Sequence, residues 1–350
     1  MTDAPRATSK TNPGRFFEDY TVGEVILHGV PRTVGSGERA LYHALYPARH
    51  ALHSSDLFAQ ACGLGAAPLD DLLAFHVVFG KTVPDVSLNA RANLGYAEGL
   101  WRRPARPGDT LRSESEVIGL KQNSNGKTGV VWVRTRGLDQ NDAVVIEYVR
   151  WVMVKKRDEG SPAPETVVPE LKGALAPSDL AVPPELTFAD YDFSLAGEPH
   201  RLGDYQVGEI IDHVDGVTLE EAEHMMATRL WQNTSKTHFD GTMREDGKRL
   251  IYGGHVISMA RALSFNGLAN AQMIVGLNGG AHANPAFSGD TVRAWSEVLD
   301  TAETARPGVG AIRLRLVATK DGGVGDLKGD DGKYLPGVLL DLDYWALMPV

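Results

Sequence analysis

Two stretches of the chain are apolar almost all round over helical lengths. Residues 68–79 read PLDDLLAFHVVF, and residues 254–263 read GHVISMARAL. A helix that is apolar on every face belongs inside a protein. Asp70 and Asp71 sit in the first turn of the former, where carboxylates oppose the helix dipole. Downstream of each helix the period changes. Residues 110–120, 129–136 and 144–154, and then 291–299 and 311–319, alternate apolar with polar or run β-branched, separated by Gly, Asn and Asp. That is strand patterning. One long buried helix followed by antiparallel strands predicts an α+β unit in which a sheet wraps a helix.

The same order of blocks occurs twice. The turn Phe17-Glu-Asp-Tyr20-Thr-Val-Gly-Glu24 returns as Leu202-Gly-Asp-Tyr205-Gln-Val-Gly-Glu209. Pro104-Ala-Arg-Pro-Gly-Asp109-Thr110-Leu-Arg112 returns as Pro285-Ala-Phe-Ser-Gly-Asp290-Thr291-Val-Arg293, each followed by Ser-Glu-Val. Each half closes on a tryptophan-bearing strand, at Trp151 and Trp345. Matching order and spacing mark a duplication. Seven prolines between 158 and 200 remove backbone donors and favour extended chain, so this segment reads as a linker. The predicted organisation is a first domain over 1–157, a proline-rich linker over 158–200 and a second domain over 201–350. The two sheets are expected to join edge to edge, because an open sheet leaves an edge to pair.

Composition narrows the function. The chain has 350 residues and a formal net charge of −10, which argues against a nucleic-acid partner. Cys62 is its single cysteine, so neither an internal disulfide nor a thiolate metal cluster is expected. No run approaches the roughly 18 apolar residues of a membrane span, and the polar first residues carry no secretory pattern. A soluble cytoplasmic protein is expected, with no nucleic-acid or membrane partner.

The candidate chemistry lies just before the second helix. Trp231-Gln-Asn233-Thr-Ser235-Lys236-Thr-His238-Phe-Asp240 is polar, and Tyr252-Gly253-Gly254 opens the helix. Glycines at a helix start leave backbone N–H groups open to a ligand at the positive end of the dipole. Such a site polarises a thioester carbonyl and stabilises the enolate made from it. A nearby histidine can move a proton at neutral pH. His53 and His76 echo His238 and His255, but Ala48 stands where Asn233 does, so the first half is expected to lack a working site. His43, His50 and Cys62 read as packed residues, and no metal-ligand spacing stands out.

With those residues in view, the chain resembles the MaoC-like, R-specific enoyl-CoA hydratases. Their motif reads D-x-N-P-x-H, then an apolar-H-G helix start, then P-x-x-P-G-D-T. His238 falls on the catalytic histidine, Tyr252-Gly253 on the H-G, and residues 285–291 on the later block. Asn233, Ser235 and Lys236 replace the aspartate, asparagine and proline. An amide cannot accept a proton at neutral pH, so His238 is expected to carry the proton transfer while Asn233 holds water. Residues 79–89, 125–131, 211–218 and 263–270 resemble more narrowly the double hot-dog members of this family that interconvert 2-methylmalyl-CoA and 2-methylfumaryl-CoA (mesaconyl-CoA). The resemblance implies a hydro-lyase with a CoA thioester as substrate and no separate cofactor; further self-association into a homodimer is also expected. His238 and Asn233 would be catalytic; Gly253, Gly254, Tyr252, Ser235, Lys236 and Arg261 would bind substrate, Lys236 or Arg261 meeting its free carboxylate. A hot-dog thioesterase and a non-catalytic acyl-CoA-binding module remain the alternatives, since fold does not dictate chemistry.

Overall fold

The computed structural model describes residues 10–350. Ten strands form one antiparallel sheet. The first half supplies β1 (Val25–Thr33), β2 (Ala90–Trp101), β3 (Thr110–Gln122), β4 (Thr128–Leu138) and β5 (Val144–Lys155). The second supplies β6 (Ile210–Thr218), β7 (Met273–His282), β8 (Thr291–Glu303), β9 (Val309–Lys320) and β10 (Val338–Pro349). Their spatial order is β1-β3-β4-β5-β2-β7-β10-β9-β8-β6. Each half is thus a five-stranded sheet of identical order, and the halves meet where β2 pairs antiparallel with β7. The edge-to-edge junction expected from the repeat is present, and glycines shape it. A Cβ on Gly99 would lie 2.7 Å from the Cβ of Leu277 across the seam, so only glycine lets the strands close.

Each half wraps one central helix, giving two hot-dog units. The helix Asp71–Thr82 is buried along its whole length, and in Gly253–Leu263 every residue after Gly253 is buried. Apolar residues on all faces leave them no solvent side. The first begins at 71 rather than 68 because the Asp70 carboxylate caps it, accepting the Leu72 N–H at 2.9 Å. The helices touch through a polar bridge: the His76 imidazole Nε2 and the Tyr42 hydroxyl both lie 3.0 Å from Ser258 Oγ. Counted from their first residues, Asp71 matches Gly253, so His76 matches Ser258. The expected echo of His255 by His76 is one helical turn out of place.

The duplication is written in matching bonds. Nε2 of His28 meets Ser115 Oγ at 2.8 Å, as Nε2 of His213 meets Ser296 Oγ at 2.8 Å. Thr33 pairs with Thr110 and Thr218 with Thr291 through their hydroxyls. Between the halves, the chain over 158–200 crosses as a strap with one bridge, Val167 to Leu120. Its Leu175, Leu180, Leu186, Phe188 and Tyr191 bury with Met273, Val275, Trp345 and Leu347. Strand alternation turns the neighbours Ile274, Tyr344 and Ala346 to the opposite face, against the helical core. The strap is the second layer of that sheet. No helix among the described residues is long and apolar enough to cross a membrane.

Candidate active site

A cavity of about 340 Å³ opens between the halves. From the second half it is lined by Asn233, Ser235, His238, Tyr252, Gly253 and His282. The first half contributes the end of its helix through Phe79 and Val83, with Asn93 and Tyr96 from β2 and Arg150 from β5.

His238 sits on a one-turn helix, Lys236–Phe239, and donates its Nδ1–H to the Leu250 carbonyl at 2.7 Å. That bond fixes the tautomer, because a carbonyl can only accept. Nε2 then carries the lone pair. Burial lowers the His238 pKa, against the opposing pull of the Leu250 carbonyl, so the ring is a neutral base at pH 7. Asn233 reaches the same cavity from the preceding turn, its Oδ1 accepting the Ser235 N–H at 3.0 Å. Gly80 makes this loop possible. A Cβ there would stand 1.8 Å from the Trp231 carbonyl oxygen, so the first helix can pass Trp231 to Asn233 only as glycine.

Tyr252 precedes the second central helix, held by its N–H donating to His224 Nε2 at 2.9 Å. Its hydroxyl is buried without a partner, and burial raises its pKa well above the ordinary value, so it stays a donor. Gly253 is the first helical residue and lines the cavity, where the first N–H groups of a helix lack internal acceptors. Any Cβ there would fall 2.4 Å from the His282 ring. Together these groups offer a base at Nε2, a hydroxyl donor and a helix N-terminus around one space, enough to polarise a carbonyl and move a proton beside it.

Three sequence expectations need correction. Lys236 is exposed on the outer side of its turn and does not line the cavity. Arg261 is buried but turned elsewhere, donating to the Ala271 carbonyl and to Ser264 Oγ. Gly254 serves packing: a Cβ would strike the Tyr252 ring at 2.4 Å and His76 at 2.6 Å. Residues missed by the sequence reading are His282, whose Nε2 lies 3.0 Å from the Tyr96 hydroxyl, and the first-half group Asn93, Tyr96 and Arg150.

The corresponding helix start in the first half is built differently. Where the second half has Gly253, the first has Asp71, whose carboxylate takes the Ile274 N–H at 2.7 Å and lies 3.2 Å from His53 Nε2. At that helix start the first half therefore carries a buried carboxylate engaged by the chain itself, where the second half has an open glycine.

The neutral histidines around the cavity set an acid limit. Burial lowers the pKa of His224 to about 3, with His255 and His238 adding to it. Burial lowers His255 to about 4, and His282, also beside His238, to about 4. A histidine depressed in the fold gives its full stability above the unfolded value near 6.5, and loses it as pH falls toward the folded one. Three such groups give a slope of about 4 kcal/mol per pH unit near pH 5. Guanidinium unfolding midpoints should therefore drop sharply from pH 7 to pH 5; an unchanged midpoint would contradict neutral burial.

Comparison with known proteins places this architecture. The profile of the mesaconyl-CoA hydratase family matches residues 3–323. The chain is 74% identical to the mesaconyl-CoA hydratase of Cereibacter sphaeroides over 341 residues, 97% of this chain and 99% of that protein. It is 56% identical to the beta-methylmalyl-CoA dehydratase of Chloroflexus aurantiacus over 350 residues, covering 98% and 99%. The crystal structure of a MaoC-domain dehydratase from Chloroflexus aurantiacus superposes with a TM-score of 0.95 at 55% identity, covering 98% and 99%. A double hot-dog protein of Mycobacterium tuberculosis shares the fold, with a TM-score of 0.72 at 24% identity over 96% of this chain and 99% of that one. By sequence over nearly its full length and by fold, this chain is a member of the mesaconyl-CoA hydratase family of hydro-lyases.

Proposed function

We propose that the chain catalyses the reversible dehydration of 2-methylmalyl-CoA to 2-methylfumaryl-CoA in the cavity around His238. The carrying observation is the His238 tautomer, with Nδ1–H spent on Leu250 and a basic Nε2 left beside a helix N-terminus. The two relatives named for these reactions support it. In dehydration Nε2 takes the proton from the carbon next to the thioester carbonyl. The enolate charge is met by the N–H at Gly253 and the Tyr252 hydroxyl. The electron pair then forms the double bond as the C–O bond breaks on the next carbon, and the imidazolium returns its proton to the departing hydroxide as water. Asn233 orients that oxygen without titrating. One base suffices, and no cofactor enters.

In this reading residues 201–350 carry the chemistry, 158–200 strap the halves, and 1–157 close the cavity wall. The proposal takes the enzyme as a cytoplasmic homodimer. Exposed apolar residues on both sheet edges, Leu27 and Val30 on β1 and Val214 on β6, support self-association.

Absorbance of the conjugated thioester provides the test. Adding purified protein to 2-methylfumaryl-CoA should bleach the enoyl absorbance with no free thiol appearing. Release of CoA thiol would make the chain a thioesterase. No change at all would leave an acyl-CoA-binding module.

A further inference from the structure

The substrate class proposed above carries a free carboxylate on the carbon that gains or loses the hydroxyl, so that charge must enter the cavity with the reacting atoms. Burying it without a partner is costly, yet neither Lys236 nor Arg261 reaches the cavity. From the geometry we propose that Arg150, donated by the first half, receives this carboxylate, with Asn93 beside it.

Arg150 is fully buried on β5, on the strand face it shares with Ile146 and Tyr148. It makes no ion pair among the described residues. Its Nη2 donates to Thr82 Oγ1 at 2.7 Å, and its guanidinium carbon lies 4.2 Å from the centre of the Phe79 ring. Nε and Nη1 have no partner. Asn93 likewise lines the cavity with both amide atoms buried and unpartnered. A guanidinium presents parallel N–H groups that match a carboxylate in a two-point contact. The cavity's other guanidinium, Arg91, is exposed and already solvated. Ring neighbours span the path to the base: Phe79 is 5.8 Å from Tyr252, and Tyr252 is 5.4 Å from His238.

The duplication supplies an internal comparison. Phe79 is the ninth residue from Asp71, and Arg261 is the ninth from Gly253. Aligning the closing tryptophans Trp151 and Trp345 sets Arg150 against Tyr344. The second half therefore holds the same cation–aromatic pair with the partners exchanged, Arg261 lying 5.8 Å from the Tyr344 ring. Arg261 donates to the chain's own oxygens; Arg150 keeps two donors for a ligand. Of the two matched arginines, Arg261 is satisfied by the chain and Arg150, on the cavity wall, is not.

Two thioesters that cannot be hydrated test this without depending on turnover. Succinyl-CoA carries a terminal carboxylate, and butyryl-CoA ends in a methyl of similar reach. In calorimetric titrations of the intact enzyme, succinyl-CoA should bind at least tenfold more tightly than butyryl-CoA. Arg150→Met should abolish that preference while shifting the butyryl-CoA dissociation constant less than threefold. It should also lower kcat/KM on 2-methylfumaryl-CoA by roughly 100-fold, the scale of a lost charge-assisted contact. Asn93→Ala should cut the succinyl-CoA preference several-fold, and serves if Arg150→Met does not fold. Equal affinity for both thioesters in the intact enzyme, or equal losses for both in the variants, overturns the clamp. If the clamp holds but the intact enzyme leaves 2-methylfumaryl-CoA unhydrated, the hydratase reading fails instead.

Discussion

His238→Ala should lower kcat for 2-methylfumaryl-CoA hydration by roughly 100-fold or more, with the far-ultraviolet circular dichroism spectrum unchanged. The size is the usual worth of a positioned acid–base group. It falls on one residue because Asn233 stands where the family's aspartate would, and an amide cannot share the proton transfer. His282 also lines the cavity, but its Nε2 is engaged with the Tyr96 hydroxyl. Within the protein the variant loses the hydrogen bond to Leu250 and edge contacts with the His224 and Tyr252 rings, a small part of the packing, so the fold should persist. The pH profile gives a second check. Burial lowers the His238 pKa, so the base stays neutral further into acid, and the acid limb of kcat/KM should lie below pH 6.5. A variant within threefold of the parent would remove His238 from the mechanism.

His53→Ala should behave in the opposite way, costing stability and sparing chemistry. His53 and Asp71 are both buried, 3.2 Å apart. Burial alone would lower the His53 pKa, but the carboxylates of Asp71 and Asp70 outweigh it and hold it at about 9. Deleting one partner strands the other charge in the core, a loss of about 3–5 kcal/mol. Replacing both His53 and Asp71 with alanine should cost less than the sum of the single changes, because the interaction is lost only once. The sign with pH follows from the raised value. The pair's contribution is complete below the unfolded histidine pKa near 6.5, and is lost as pH rises through 9. Urea unfolding between pH 6 and 10 should therefore show an alkaline decline in the parent that is blunted in His53→Ala. A variant with parental stability and hundredfold lower turnover would make His53 catalytic and reverse the assignment of the two halves.

Much of the fold was legible because local signals agreed with the tertiary result. The helices at 71–82 and 253–263 are apolar on every face, and the strands β3, β4, β5, β8 and β9 alternate. Strands β2 and β7 were not legible. Their runs, ARANLGYAEG and MIVGLNGGAH, are rich in small residues and glycine, which disfavour strands locally. They become strands because two sheets must close there, which is long-range information. At the site, the motif order marked His238, Asn233, Tyr252 and Gly253. The carboxylate cation was misplaced because nearness in sequence to His238 was a poor guide to nearness in space. Arg150 lay in a strand read for its alternation and its tryptophan, yet that same alternation sets it on the inward face with Ile146 and Tyr148. An arginine on that face was the available clue.

The exchanged pair of Phe79 with Arg150 and Arg261 with Tyr344 has an evolutionary reading. A dimer of two identical hot-dogs would present the same residues to both of its cavities, and any improvement in one would be copied into the other. Fusion into a single chain removed that symmetry constraint. Helix and strand could then trade the charge on one side, while Asp71 came to pair with His53 on the other. Once that happened the halves stopped being interchangeable. Two copies of residues 201–350 would set Arg261 where Phe79 now forms the wall, and Tyr344 where Arg150 now points. With Arg150 as the proposed carboxylate partner, a homodimer of single second-half hot-dogs would lack that cation in its cavity.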